Sequence, residues 1–332
     1  MPPDSARPPH DNPACRDILV QAVESAIQAP SSHNTQPWLF RIGEDQVELY
    51  ADRRRSLPVV DPEGRELTIS CGAALFNLCL SIRHQGRAIA VEVLADRNLD
   101  RLALVRIGAA RSAAPEEESL SGAISRRRTN RLPFEQRPIP NDVISALERA
   151  AQAEGAMLHA VTGLSKNALA DLIAEGDRIQ AADTSFRREL AAWVHPNRAK
   201  NKDGMPAGGF GAGDMASLVF PLILRTFDWG KGQAARDRQL AAGSPALAVL
   251  TTGEDNPAAW LKAGQALERV LLTAVSHGLS ASFLNQPVES PSLRVRLADL
   301  LGVGEFPQLI LRMGYGRDVS PTPRRDLADV LI

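Results

Sequence analysis

Apolar residues fall at helical spacing from Ile18 to Ile27, with Leu19, Val20, Val23, Ala26 and Ile27 on one side, and Pro30 ends the run. A β-rich stretch, Trp38–Ile42, follows. With Val47–Ala51 across Gly43-Glu44-Asp45 it predicts a hairpin. From Leu67 to His84 nearly every position is apolar, which predicts a helix buried in the middle of the protein and closed by Gly86. Strands are expected at Ile89–Leu94 and Leu102–Ile107. Residues 109–123, with Glu116-Glu117-Glu118, read as a linker. Beyond it the pattern predicts a helix over 143–153, a strand at 157–162, two further helices to Val194, and an irregular Gly-rich stretch over 195–214. An apolar helical segment follows over 215–227. Then come a strand at 245–250, a long helix over 257–277, a strand at 280–284, a helix over 291–301 and a last strand at 307–313.

Two of these segments match without a gap. Gly72-Ala73-Ala74-Leu75, Leu78, Leu80, Ser81 and Gly86 recur as Gly264-Gln265-Ala266-Leu267, Val270, Leu272, Thr273 and Gly278. A helix, its closing glycine and the strand behind it therefore repeat. The chain divides into a disordered tail (1–13), an N-terminal half (14–108), the linker (109–123) and a C-terminal half (124–332).

Composition adds constraints. The chain has 332 residues, 44% hydrophobic and 23% charged, with a net charge of −1. That allows a sizeable core and gives no electrostatic argument for a nucleic-acid or membrane-surface partner. Three cysteines form neither a disulfide framework nor a metal-ligand pattern; Cys71 and Cys79 read as core residues. The Pro-rich start lacks the apolar core of a signal peptide, and no run reaches the ~20 apolar residues of a membrane span. A cytoplasmic protein is expected.

Polar chemistry concentrates at two junctions. Pro30-Ser31-Ser32-His33-Asn34-Thr35-Gln36-Pro37-Trp38 packs hydroxyls and amides between a helix and a strand, where a ligand meets side-chain and backbone donors together. Arg127-Arg128-Thr129-Asn130-Arg131 is the most basic stretch, and forked guanidiniums with a hydroxyl suit a phosphate. The first string resembles the PSxxNxQPW signature of the nitroreductase family, and the second resembles that family's R-R-S-x-R motif, at Arg127, Thr129 and Arg131. Phe283-Leu284-Asn285-Gln286-Pro287-Val288-Glu289-Ser290 is similar to the family's turn over the flavin edge, at Glu289 and Ser290. Met313-Gly314-Tyr315 followed by Arg324-Arg325 resembles its C-terminal segment. Asp61-Pro62-x-Gly64-Arg65-Glu66, with Ser70-Cys71-Gly72-Ala73-Ala74-Leu75, resembles the Acg-type single-chain branch.

The resemblance implies an α+β fold in which two fused halves form an intramolecular pseudo-dimer around long central helices. It implies FMN as cofactor, held by Pro30, Ser31, Ser32, Asn34, Gln36, Arg127, Thr129, Arg131, Glu289, Ser290, Arg324 and Arg325, with Arg325 preferred of the last two. NAD(P)H is the implied donor, and a nitroaromatic or quinone-like small molecule the acceptor. His33 is a candidate for the substrate face. Each half carries only one of the two complementary motifs, so one FMN per chain is expected, within a monomer. The glycines at 204, 208, 209, 211 and 213 lack the strand and helix of a dinucleotide fingerprint. They suggest a lid over 195–232, anchored by firmly docked apolar flanks including Leu218, Val219, Phe220, Leu222 and Ile223. A lid that excludes nicotinamide would make the protein an FMN store rather than an oxidoreductase.

Overall fold

A computed structural model describes residues 13–94 and 100–332. All but the last residue of the expected N-terminal tail lies outside these; Pro13 already opens the first helix.

The N-terminal half runs α1 (Pro13–Ala26), β1 (Trp38–Ile42), β2 (Gln46–Ala51), α2 (Arg65–His84), β3 (Arg87–Val93) and β4 (Arg101–Ala110). After α3 (Pro115–Ile124) the C-terminal half begins with α4 (Asn141–Gln152) and β5 (Met157–Val161). An inserted layer follows: α5 (Gly163–Ala182), α6 (Thr184–Ala192), β6 (Val194–His195), β7 (Met205–Pro206), α7 (Asp214–Ser217), α8 (Phe220–Thr226) and α9 (Gly230–Gly243). The half then closes with β8 (Ala246–Thr252), α10 (Pro257–Ser276), β9 (Ser280–Phe283), α11 (Gln286–Glu289), α12 (Pro291–Leu301) and β10 (Phe306–Gly314), and the chain ends in α13 (Leu327–Val330).

The two main sheets share one topology. Their orders are β1-β2-β4-β3 and β5-β8-β10-β9, antiparallel throughout, so each runs first-second-fourth-third. In each, the long helix leaves the second strand and enters the third. Those helices, α2 and α10, cross at the centre, and their contact is reciprocal. A Cβ on Gly72 would overlap the Leu261 carbonyl oxygen, and one on Gly264 would overlap the Ile69 carbonyl oxygen. The repeat that pairs Gly72 with Gly264 also pairs Ile69 with Leu261. Only glycine lets the two backbones approach so closely.

Packing explains the pattern of α2, which is buried from Arg65 to Ile82. By length and composition it would pass for a membrane span, contrary to the sequence expectation, yet 89% of its most apolar window is buried inside the protein. One face joins Leu19, Val23, Trp38 and Leu49 in the N-terminal core. Another contributes Ile69 to the core of the C-terminal half. The chain end returns to the first half: Ile332 N–H donates to the Phe40 carbonyl at 2.9 Å, beside β1.

Two expectations are corrected here. The segment expected as a linker contains α3, whose Leu120, Ala123 and Ile124 are buried against Phe76, Leu80 and Leu272. The glutamates that made it look solvated occupy the first turn, where negative charge favours a helix, and Glu117 accepts from the Ala114 N–H at 2.8 Å. The apolar flank of the lid is not firmly docked. Leu218, Val219 and Leu222 are 62%, 51% and 64% exposed. The short helices α7 and α8 bury only Ser217 and Leu224.

Candidate functional site

Where the two halves meet, a cavity of about 220 Å³ opens beneath the inserted layer. Pro30, Ser31, Ser32 and His33 line one side. Arg131 and the Phe283–Glu289 turn line another. The inserted helices add Asp177 and Gln180 from α5, Phe186 and Leu190 from α6, and Asp237 from α9. A second cavity of about 620 Å³ shares Arg131. It is lined by Thr129, by residues of the Gly-rich loop including Gly204 and Gly208, and by Pro321–Pro323.

The turn after α1 adopts a conformation that its residues rarely choose. His33, Asn34 and Gln36 all have left-handed backbones, with φ of 50°, 55° and 51°. Each costs on the order of 1–2 kcal/mol, so tertiary contacts must hold them. They do so densely. Ser31 Oγ accepts from the Gln36 N–H at 2.9 Å. Asn34 Nδ2 donates to the Gly204 carbonyl at 2.9 Å, and Gln36 Nε2 to the Lys202 carbonyl at 2.8 Å. Gln36 Oε1 accepts from the Arg325 N–H at 2.8 Å. Asn34 and Gln36 therefore fasten the Lys202–Gly204 loop and the tail onto the turn, while Pro30, Ser31, Ser32 and His33 face the cavity. Arg55 adds a further contact to this loop by pairing with Asp203. Burial first, then Arg131, pulls His33 down to about 4, so its imidazole is neutral at physiological pH.

The basic stretch divides. A bridge between Thr129 and Ala281 pins it beside β9. Arg131 enters the cavities, where its guanidinium donates to the Met205 sulfur at 3.5 Å. Arg127 turns inward instead, donating to the Gln28 carbonyl at 3.2 Å and standing 3.7 Å from buried Glu268. Arg324 meets it there: it donates to the same Gln28 carbonyl at 3.3 Å and to Asn34 Oδ1 at 3.1 Å. Burial, followed by repulsion from Arg127, lowers Arg324 to about 9. The Nε atoms of both arginines are buried without a hydrogen-bond partner. Arg325 serves the backbone, donating to the Gln36 carbonyl at 3.0 Å and to the Asp329 carbonyl. Glu289 lines the cavity; Ser290 does not, and stands at the N-cap position of α12.

Several lining residues carry no signal of their own in the sequence. Glu66, buried on α2, accepts from Ser32 Oγ at 2.6 Å. Gln286 Nε2 donates to both Asp177 Oδ1 and Asp237 Oδ2, each at 3.0 Å. Burial, then Asp237, pushes Asp177 up to about 8, and its second oxygen has no partner. Glu66 and Gln286 lie inside stretches that resemble the family, which is the one hint available. The aspartates on α5 and α9 look like any solvated helix face until the helices are packed. Among the described residues no group of His, Cys, Asp or Glu is arranged to hold a metal.

Comparison with known proteins agrees with this architecture. Residues 124–315 match the family model described as the nitroreductase family. A Mycobacterium tuberculosis (strain H37Rv) protein named as a candidate NAD(P)H nitroreductase, Rv3131, is 32% identical over 313 residues, covering 92% of this chain and 88% of the relative. A second from the same strain, named acg, is 27% identical over 330 residues, covering 96% and 97%. Among solved structures, the FMN and NADPH-dependent nitroreductase NfnB from Sphigopyxis sp. strain HMH aligns with 64% of this chain and 96% of its own, at 22% identity and a TM-score of 0.44. The chain belongs to the nitroreductase family.

Proposed function

We propose that this protein is an FMN-dependent oxidoreductase that takes hydride from NAD(P)H and passes it to a small nitroaromatic or quinone-like acceptor. The observation that carries the reading is the cavity where the Pro30–His33 turn, Arg131 and the Phe283–Glu289 turn converge from both halves. The residues fit the cofactor. Arg127 and Arg324 are drawn together in a buried place with Glu268 as counter-charge, 3.7 Å from the Arg127 Nε, and neither Nε makes a hydrogen bond. An excess of buried guanidinium over carboxylate suits a dianionic phosphate. Arg127, Thr129, Arg131 and Arg324 would hold it, while Ser31, Ser32 and Glu289 would border the ring. Arg325 and Gln36 brace this wall through backbone contacts. When bound, FMN supplies two-electron chemistry at its N5 position. The names of the mycobacterial relatives support NAD(P)H as donor.

The shared sheet order and the reciprocal crossing at Gly72 and Gly264 support a pseudo-dimer within one chain, with one flavin between its halves. Phe186, Leu190 and Trp229 give the cavity an apolar wall suited to a planar aromatic acceptor.

The latched lid favours a second reading. Asn34, Gln36 and Arg55 all hold Lys202–Gly204 down. If the latch stays shut, nicotinamide is excluded and the protein stores FMN. Stopped-flow bleaching of the flavin band by NADPH separates the two. Saturable reduction and steady turnover of a nitro compound well above free FMN support the oxidoreductase, whereas a flavin that stays oxidised supports storage.

A further inference from the structure

Glu66 on α2 and Glu289 on α11 come together at the cavity wall, one from each half. Every other partner of this pair is a donor. Ser32 Oγ donates to Glu66 Oε2 at 2.6 Å, Arg65 donates to Glu66 Oε1 at 3.1 Å, and Gln180 Nε2 donates to Glu289 Oε2. The two buried carboxyls also share that wall, where the charge of Glu66 opposes ionisation of Glu289. Ionised carboxylates only accept and repel one another, so such a pair is relieved when one of them keeps a proton. Arg65 balances a single negative charge and is itself fixed to the Gln308 and Val288 carbonyls at 2.6 and 3.2 Å.

We propose that Glu66 and Glu289 hold one proton between them, and that Glu289 delivers it to the acceptor as that molecule takes up hydride. The delivery rests on the reading of this cavity as the reaction chamber. The balance requires a single proton. A nitro compound, one hydride originating from NAD(P)H and one proton give a nitroso compound and water. The hydrogen delivered as hydride ends on one nitro oxygen, the Glu289 O–H bond breaks as a second O–H bond forms on that oxygen, and its N–O bond breaks as water leaves. A quinone takes the same hydride and proton to become a hydroquinone. The carboxyl pair regains its proton from solvent before the next cycle.

The surroundings favour storage of the proton. Burial, then the charge of Glu66, raises Glu289 well above the carboxylate range. Asp61, on the turn before α2, acts in the same direction, and Arg65 opposes it. On the other walls stand Asp177 and Asp237 from the inserted helices, His33 on the turn and Arg131 on the basic stretch. A carboxylic acid that holds its proton above the ordinary carboxylate range is suited to general-acid work.

The test compares the parent with Glu289→Gln and Glu66→Gln, which preserve shape. Infrared spectra at pH 7 count protonated carboxyls through their C=O stretch, with Asp177→Asn as a reference for one of the other raised carboxyls. Each glutamate variant should lose the signal of one protonated carboxyl. Re-oxidation of the reduced protein by a nitro compound should slow by about 10²-fold in Glu289→Gln and lose its decline toward alkaline pH. An unchanged carboxyl signal in both variants would overturn the shared proton, whatever the flavin content. Loss of the signal with unchanged re-oxidation rate and pH profile would overturn the delivery. The visible absorption of the same samples reports bound flavin, and so tests the functional reading separately.

Discussion

At the scale of single residues, the site is built from groups held in states they would not adopt in water. His33, Asn34 and Gln36 carry left-handed backbones, and Asp177 retains its proton to about 8. Asp177 has a folded value above its ordinary 3.8, so its contribution to stability is complete below that value and is lost as pH rises toward 8. Asp177→Asn should therefore flatten the decline in melting temperature between pH 4 and pH 8; thermal melts across that range measure it, and an unaltered slope would show that Asp177 is not a buried acid. The phosphate-binding role proposed for Arg127 is tested by Arg127→Ala. Loss of one charge-assisted contact is worth ~1.5–3 kcal/mol, which weakens FMN binding roughly ten- to a hundred-fold. Titration of apoprotein with FMN measures it, and an unchanged dissociation constant would remove Arg127 from the site. The turn and the arginines were legible in the sequence because their chemistry is local, with several polar residues crowded between recognisable elements. Glu66, Asp177 and Asp237 were not, because a carboxylate on a helix shows its role only when other helices close over it.

At the scale of elements, the long helices and nearly all strands of the two main sheets follow from apolar periodicity. Helix α3 was missed because three glutamates outweighed Leu120, Ala123 and Ile124, although the charges sit where a helix accepts them. Helix α9 has little amphipathic pattern and buries mainly Ala234, Asp237 and Ala241, which no period reveals. The α2–α10 crossing gives a direct test of the packing. Gly264→Ala sets a methyl group against the Ile69 carbonyl and should cost on the order of 1–3 kcal/mol or more. Chemical denaturation would record a fall in the midpoint, and an unchanged midpoint would contradict the close crossing.

A test of the proposed lid has to leave its packed residues in place. Met205 and Ala207 are buried beside Leu57, Val60 and Phe186, so their removal opens a core. Arg55→Ala releases the tie to Asp203, together with the Arg55 contacts to the Thr35 carbonyl and the Trp193 ring. It should raise the rate of flavin reduction by NADPH while FMN stays bound, as stopped-flow absorbance would show. An equal rate in a variant that keeps its FMN would contradict the lid.

At the scale of the whole molecule, the repeat in the sequence reappears as two sheets of one order and two helices that touch reciprocally. The halves are unequal where function is concerned. One brings the polar turn; the other brings the basic stretch, the Phe283–Glu289 turn and the inserted layer that roofs the cavity. The sequence announced this asymmetry through the single copy of each motif, but not how the Gly-rich loop is fastened, since Asn34 and Gln36 meet Gly204 and Lys202 only in the folded chain. The central claim is a single complete flavin site in each chain. Reconstitution with excess FMN, removal of free flavin by gel filtration with light scattering, and flavin absorbance per chain test it most directly. One FMN per chain in a monomer is the predicted result; no retained flavin, or two per chain, would contradict it.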